Sequence, residues 1–161
     1  MHYQHLDLFA LALQRYEHLV VAITNPDSSA RHREDTSQHR HTAAANPFSY
    51  FERSQLLSAA LAGSGFADRT TLVPFDLTRP RHWPDYVPLS AHHYVRAFSE
   101  WERQKGEWLR EAGYPVTVLD GDARAKISAS DIRGAIHDGR PWEHTVPEST
   151  RPVLRALLAN R

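Results

Sequence analysis

Leu19-Val20-Val21-Ala22-Ile23 is the stretch that most limits the folds open to this chain. Five consecutive apolar residues, most of them β-branched or aliphatic, are too few for a helix and show no alternation of wet and dry faces. Such a run fits a strand covered on both sides, as in a parallel sheet. It stops at Thr24-Asn25-Pro26-Asp27, where Pro and Asx residues turn the chain. Parallel strands cannot be joined by a tight hairpin and need a long crossover, usually a helix. The run therefore predicts an α/β fold.

The flanking pattern agrees. Leu6, Phe9, Ala10, Leu13 and Tyr16 recur at helical spacing. Helical periodicity returns over 50–61, where Gly63-Ser64-Gly65 supplies a C-cap region. Further short strands are predicted over 70–75, 94–98 and 116–119, with a charged helix over 101–111 closed by Gly113. Residues 28–46 are polar and predict a long mobile loop. Pro80, Pro84 and Pro88 punctuate a connector over 76–93, and a loop spans 120–126. Ser128-Ala129-Ser130-Asp131 has the form of a capping box for a helix running to Asp138. Its stripe is Ile132, Ala135 and Ile136, and Gly139 and Pro141 end it. A last helix is predicted over 148–158. The expectation is one domain over 1–161, with a Rossmann-like, mostly parallel sheet flanked by helices.

Composition removes whole classes of chemistry. There is no cysteine, so disulfides, thiolate catalysis and cysteine-ligated zinc are excluded. Lys plus Arg and Asp plus Glu both number 19, so no global field draws nucleic acid or a membrane surface, and neither is expected as a partner. No apolar run has membrane-spanning length and the first residues lack a signal-peptide pattern, which makes a cytoplasmic location the expectation. Any anion must be held by a local site.

In open α/β sheets ligands sit at the carboxyl ends of strands, near the N-termini of the helices that follow. Two segments place unusual residues there. One is His2-Tyr3-Gln4-His5 at the mouth of the first helix. The other is Ile127-Ser128-Ala129-Ser130-Asp131-Ile132-Arg133, opening the helix after the fourth strand. A helix N-terminus favours phosphate, hydroxyls in its first turn add donors, and an Arg one turn in adds a planar fork. Taken singly, the serine segment is also an ordinary helix cap, and the histidine pair also an accident among 11 histidines. His32, His39 and His41 lie in the polar loop with no regular structure to fix metal geometry, and no protein metal site is expected. Trp101, Trp108 and Trp142 suit stacking on a base or packing in a core.

The two segments together resemble the nucleotidyltransferases whose motifs are H-x-G-H near the start and I-S-x-[ST]-x-x-R near the end. ISASDIR satisfies every fixed position of the second; the first is partial, with Gln4 in place of Gly. Asn46-Pro47-Phe48-Ser49-Tyr50-Phe51-Glu52-Arg53 and Gly139-Arg140-Pro141-Trp142-Glu143-His144-Thr145-Val146-Pro147-Glu148-Ser149 are similar to segments of archaeal-type nicotinamide-nucleotide adenylyltransferases. The resemblance implies transfer of AMP from ATP to nicotinamide or nicotinate mononucleotide with loss of pyrophosphate, supported by Mg2+ entering with ATP. It implies catalytic roles for His2, His5 and Arg133, and nucleotide contacts from Gln4, Ile127, Ser128 and Ser130. Acceptor contacts would come from Asn25, Arg53 and Trp101. Two alternatives remain open: a cytidylyltransferase using CTP and a small phosphate or phosphonate, because Gln4 stands on the base side and the polar loop diverges, and a catalytically dead nucleotide-binding domain, because the family's first strand is missing. Members of the family carry a strand and a G-R-F-x-P turn before their first histidine, whereas Met1 directly precedes His2 here. The expectation is that the natural start lies upstream, or that a partner chain, as in a homo-oligomer, donates the strand.

Overall fold

The structure is a computed structural model that describes residues 1–37 and 40–160; His39 lies outside the described residues. Helices and strands alternate: α1 (Tyr3–Leu13), β1 (Leu19–Thr24), α2 (Tyr50–Gly63), β2 (Thr70–Phe75), α3 (Trp83–Tyr86), β3 (His93–Ala97), α4 (Glu100–Glu111), β4 (Val116–Asp120), α5 (Ala129–His137) and α6 (Arg151–Ala159). This is a Rossmann-like α/β fold. Its sheet is divided: β1 pairs with β2, and β3 with β4. β3 and β4 run parallel, with His93 opposite Val116 and Ala97 opposite Asp120.

Three expectations need correction. α1 starts at Tyr3, earlier than its apolar spacing indicates, because His2 takes the extended N-cap conformation (φ −141°, ψ 169°). It ends at Leu13, which leaves Tyr16 outside the helix and exposed. β1 is half-buried along most of its length and only Ile23 is buried, since a two-stranded sheet covers less of each strand than a wide one. The connector over 76–93 is not featureless. Pro80 and Pro84 sit in the first turns of a 3-10 turn and of α3, where a missing N–H costs nothing.

The chain forms two compact units. The first combines Met1–Val21, Phe48–Leu72 and the segment from Ile127 onward. Its core is Leu56, Ala135, Trp142, Val146 and Leu154, with Phe48, Ile132 and Ile136 packed against it. Phe48, Trp142 and Val146 come from the two segments flanking ISASDIR in the resemblance, so those segments build the core beneath α5. Close packing here needs Gly63 at the end of α2, where a Cβ would overlap the Ser149 side chain.

The second unit combines Ala22–Pro47 and Val73–Lys126. Trp83 is buried and stacks on Phe75 at 5.1 Å, and its indole N–H donates to the Asp76 carbonyl at 2.7 Å. The buried Tyr114 hydroxyl donates to the Val87 carbonyl at 2.9 Å, and the His93 ring meets Tyr114 edge-on at 4.5 Å. α4 lies on β4 through Gly106, where a Cβ would come within 3.0 Å of Val118 Cγ2. Among the described residues, no helix is long and apolar enough to cross a membrane.

Candidate active site

The first unit brings most of the sequence candidates together. His2 caps α1 and is buried, while His5 sits one turn on and is exposed. Their rings lie 3.9 Å apart, tilted at 44°, and His5 Nδ1 accepts from the His2 backbone N–H at 3.3 Å. A ring nitrogen that accepts from an amide is held in one tautomer, so the other nitrogen of His5 carries the proton when the ring is neutral.

Gln4 links the two motifs. Its side-chain Oε1 accepts from the Ile127 backbone N–H at 2.8 Å, across 123 residues of sequence. The side chain that departs from the family glycine thus ties the start of α1 to the residue just before the α5 cap. It also engages the Ile127 N–H, the only donor that an isoleucine could offer a nucleotide.

At the start of α5, Ser128 Oγ accepts from the N–H groups of Ser130 (3.2 Å) and Asp131 (3.4 Å). The cap therefore uses N–H groups that a bare helix start would offer to phosphate. The reciprocal capping box closes instead at Ser49 and Glu52, at the start of α2. Arg133 Nη2 donates to Ser130 Oγ at 2.9 Å, which holds the half-buried guanidinium against the first turn. Both serine oxygens accept, and each hydroxyl keeps its own O–H to donate.

Arg53, on α2 of the same unit, donates from Nε to the Ser49 carbonyl at 3.4 Å, one turn back along its own helix.

Asn25 and Trp101 belong to the second unit, where they line one hollow together with His32, Arg40, Thr78 and Trp108. The hollow is shallow and open to solvent. Asn25 follows β1 directly and holds a left-handed backbone, φ 51°, which its short polar side chain tolerates. Its Nδ2 donates to Asn46 Oδ1 at 3.4 Å. Asn46 in turn donates to the carbonyls of Arg40 (2.6 Å) and Thr42 (2.9 Å), so this residue shapes the end of the polar loop. Trp101 is buried with its ring edge-on to Trp108 at 5.7 Å, whereas Trp142 belongs to the core of the first unit.

The sequence reading missed the charge around Glu102, a buried carboxylate on α4. Its Oε2 accepts from the Ser99 hydroxyl at 2.5 Å, and its Oε1 meets Arg40 at 3.2 Å and Lys126 at 3.5 Å. Burial pushes this carboxyl up, but the Ser99 bond and the charges of Lys126, Lys105 and Arg40 outweigh it and hold it below the usual range. A legible signal existed in part: Trp101 and Lys105 are four apart on one helix and thus share a face. Arg40 and Lys126 come from irregular segments that carry no such periodicity. Among the described residues, no group of three His, Asp or Glu side chains is placed to hold a metal ion.

No family model matches the chain. It is 30% identical over 156 residues to the phosphonoformate cytidylyltransferase of Streptomyces viridochromogenes, covering 96% of this chain and 85% of that protein. It is 30% identical over 123 residues to the nicotinamide-nucleotide adenylyltransferase of Thermococcus onnurineus, and 31% identical over 123 residues to that of Pyrococcus abyssi. Each of these two alignments covers 76% of this chain and 65% of the archaeal protein, so the chain spans just under two thirds of their length.

Proposed function

The chain belongs to the nucleotidyltransferase superfamily, and on that premise we propose that it transfers the nucleotidyl group of a nucleoside triphosphate to a small acceptor bearing a phosphate or phosphonate. An acceptor oxygen attacks the α-phosphorus, the bond from that phosphorus to the bridging oxygen breaks, and pyrophosphate leaves with the electron pair. Such a step asks a protein for positioning and charge neutralisation more than for covalent chemistry. His2 and His5 would donate to the triphosphate oxygens as charge builds, and Ser128, Ser130 and Arg133 would hold the leaving pyrophosphate. The observation that carries this reading is the Gln4–Ile127 hydrogen bond, which makes the two motifs one assembly. Mg2+ would enter bound to the triphosphate, since the residues described offer it no cage of their own.

Two donor–acceptor pairs fit. CTP with a small phosphonate is favoured by the longer alignment, 156 residues against 123. ATP with nicotinamide mononucleotide is favoured by the archaeal enzymes and by the Trp101–Trp108 wall, which suits a planar ring. The test is pyrophosphate release over ATP and CTP, each with nicotinamide mononucleotide and a panel of phosphonates. CTP selectivity with a phosphonate establishes the first pair, and ATP with the mononucleotide establishes the second. No release from any combination, by protein that is folded, refutes nucleotidyl transfer.

A further inference from the structure

We propose that Arg40, Lys105 and Lys126, gathered about Glu102 beside Trp101, bind the phosphonate or phosphate dianion of the acceptor. That the ligand is an acceptor rests on the nucleotidyl-transfer reading; that the cluster binds a dianion stands on its own geometry. Glu102 Oε1 meets both Arg40 and Lys126, and Lys105 interacts with the same carboxylate. Arg40 Cζ lies 5.8 Å and Lys105 Nζ 5.7 Å from the centre of the Trp101 ring, and Lys126 Nζ lies 5.3 Å from that of Phe98.

The competing account is that these cations merely neutralise a buried carboxylate. One cation suffices for that. Three around one carboxylate leave a net charge of plus two, crowded into a half-buried space where like charges repel strongly. The crowding is visible in Lys105, whose ammonium is brought down to about 8 by burial first, then by the Arg40 and Lys126 charges, with only Glu102 opposing. Two aromatic faces help to hold the cations in place, at a modest gain per contact. A single dianion would bring the cluster to neutrality.

Access agrees with a small ligand. Arg40 and Trp101 line the open hollow that also includes Asn25, His32 and Thr78, and the Arg40 and Lys126 side chains are 42% and 31% exposed. Glu34, which lines the same hollow, is the carboxylate that an acidic ligand would have to avoid. Arg40 offers a planar fork to two oxygens of one phosphonate, and the lysines act as point charges on the third.

The test titrates the full chain with methylphosphonate by calorimetry, without nucleotide, while following tryptophan fluorescence. Saturable binding is expected. Lys105→Met and Arg40→Gln should each weaken it by roughly 10- to 100-fold, the range for one hydrogen bond to a charged group. Arg124→Gln, which removes an exposed cation outside the cluster, should leave it unchanged. Should Lys105→Met fail to fold by circular dichroism, Lys126→Met serves in its place. Absence of saturable binding, or binding insensitive to all three cluster variants, overturns the proposal. Methylphosphonate binding at the cluster without pyrophosphate release from any substrate pair would refute nucleotidyl transfer and leave the anion site standing. Turnover with an acceptor KM indifferent to Lys105 and Arg40 would do the reverse.

Discussion

Replacing Gln4 separates two consequences of one hydrogen bond. The side chain accepts from the Ile127 N–H at 2.8 Å in a half-buried setting. Gln4→Ala removes the acceptor and gains slightly in helix propensity at the second position of α1. A net hydrogen bond contributes about 1 kcal/mol, and leaving the Ile127 N–H poorly satisfied costs up to about 2 kcal/mol more. The expected loss is therefore about 1–3 kcal/mol in urea unfolding. Gln4→Gly, the family residue, should cost about 1 kcal/mol beyond that, because glycine near a helix start gives up more backbone entropy. Gln4→Glu discriminates. It keeps an acceptor for Ile127 and should hold stability near the parent, but it sets a negative charge among groups assigned to the triphosphate. Pyrophosphate release by Gln4→Glu should fall by about tenfold or more, as KM for the nucleotide rises. An alanine variant that unfolds at the parent's urea concentration would show that the bond carries no weight. A glutamate variant with parental kinetics would show that the α1 mouth does not face the nucleotide.

Other outcomes follow from single contacts. Arg133→Ala should slow turnover by ~10²-fold or more, as when one transition-state donor is lost, with little change in the urea midpoint; unchanged activity would reduce ISASDIR to a helix cap. Gly63→Ala should destabilise by about 1–3 kcal/mol, because its Cβ meets Ser149, and the loss should shrink in the Gly63→Ala, Ser149→Gly double variant. His93 is brought down to about 4, by burial first and then by the neighbouring His92 charge, so it stays neutral in the folded protein while the unfolded chain takes up a proton below about 6.5. Stability is thus full above pH 6.5 and should fall by roughly 3 kcal/mol as the pH drops towards 4; His93→Phe, which keeps a ring against Tyr114, should flatten that part of the curve in pH-dependent denaturation.

How far these features were legible depends on how local their causes are. β2 spans the residues that its apolar run predicts, and Ser128 caps α5 as its hydroxyl and position indicate, because a strand run and a cap are written within a few residues. The burial of Trp83 was not legible. Pro80, Pro84 and Pro88 mark a connector, and only the packed structure shows that two of them start short helical turns that drive the indole onto Phe75. The role of Gln4 was invisible for a different reason. As a departure from a motif it reads as a change at the base, yet its acceptor atom is used on an amide 123 residues away.

Glu102 shows the same limit at the proposed acceptor site, and it explains why loops carry that site. Arg40 arrives from the polar loop, Lys126 from the segment after β4, and Lys105 from α4; only the last shares a periodic element with Glu102. A parallel strand or a helix fixes the direction of its neighbours by repetition, so a site built on one can be read from spacing. A charge cluster drawn from loops obeys no period, and its trace in the sequence is the helical spacing of Trp101 and Lys105. The scaffold can then stay constant while the loop residues change which anion is accepted. Exchanging the charge at Arg40, Lys105 or Lys126 should accordingly alter the KM for the acceptor and leave the KM for the nucleoside triphosphate near its parental value. A variant at any of the three that raises both constants equally would place the cluster with the nucleotide instead.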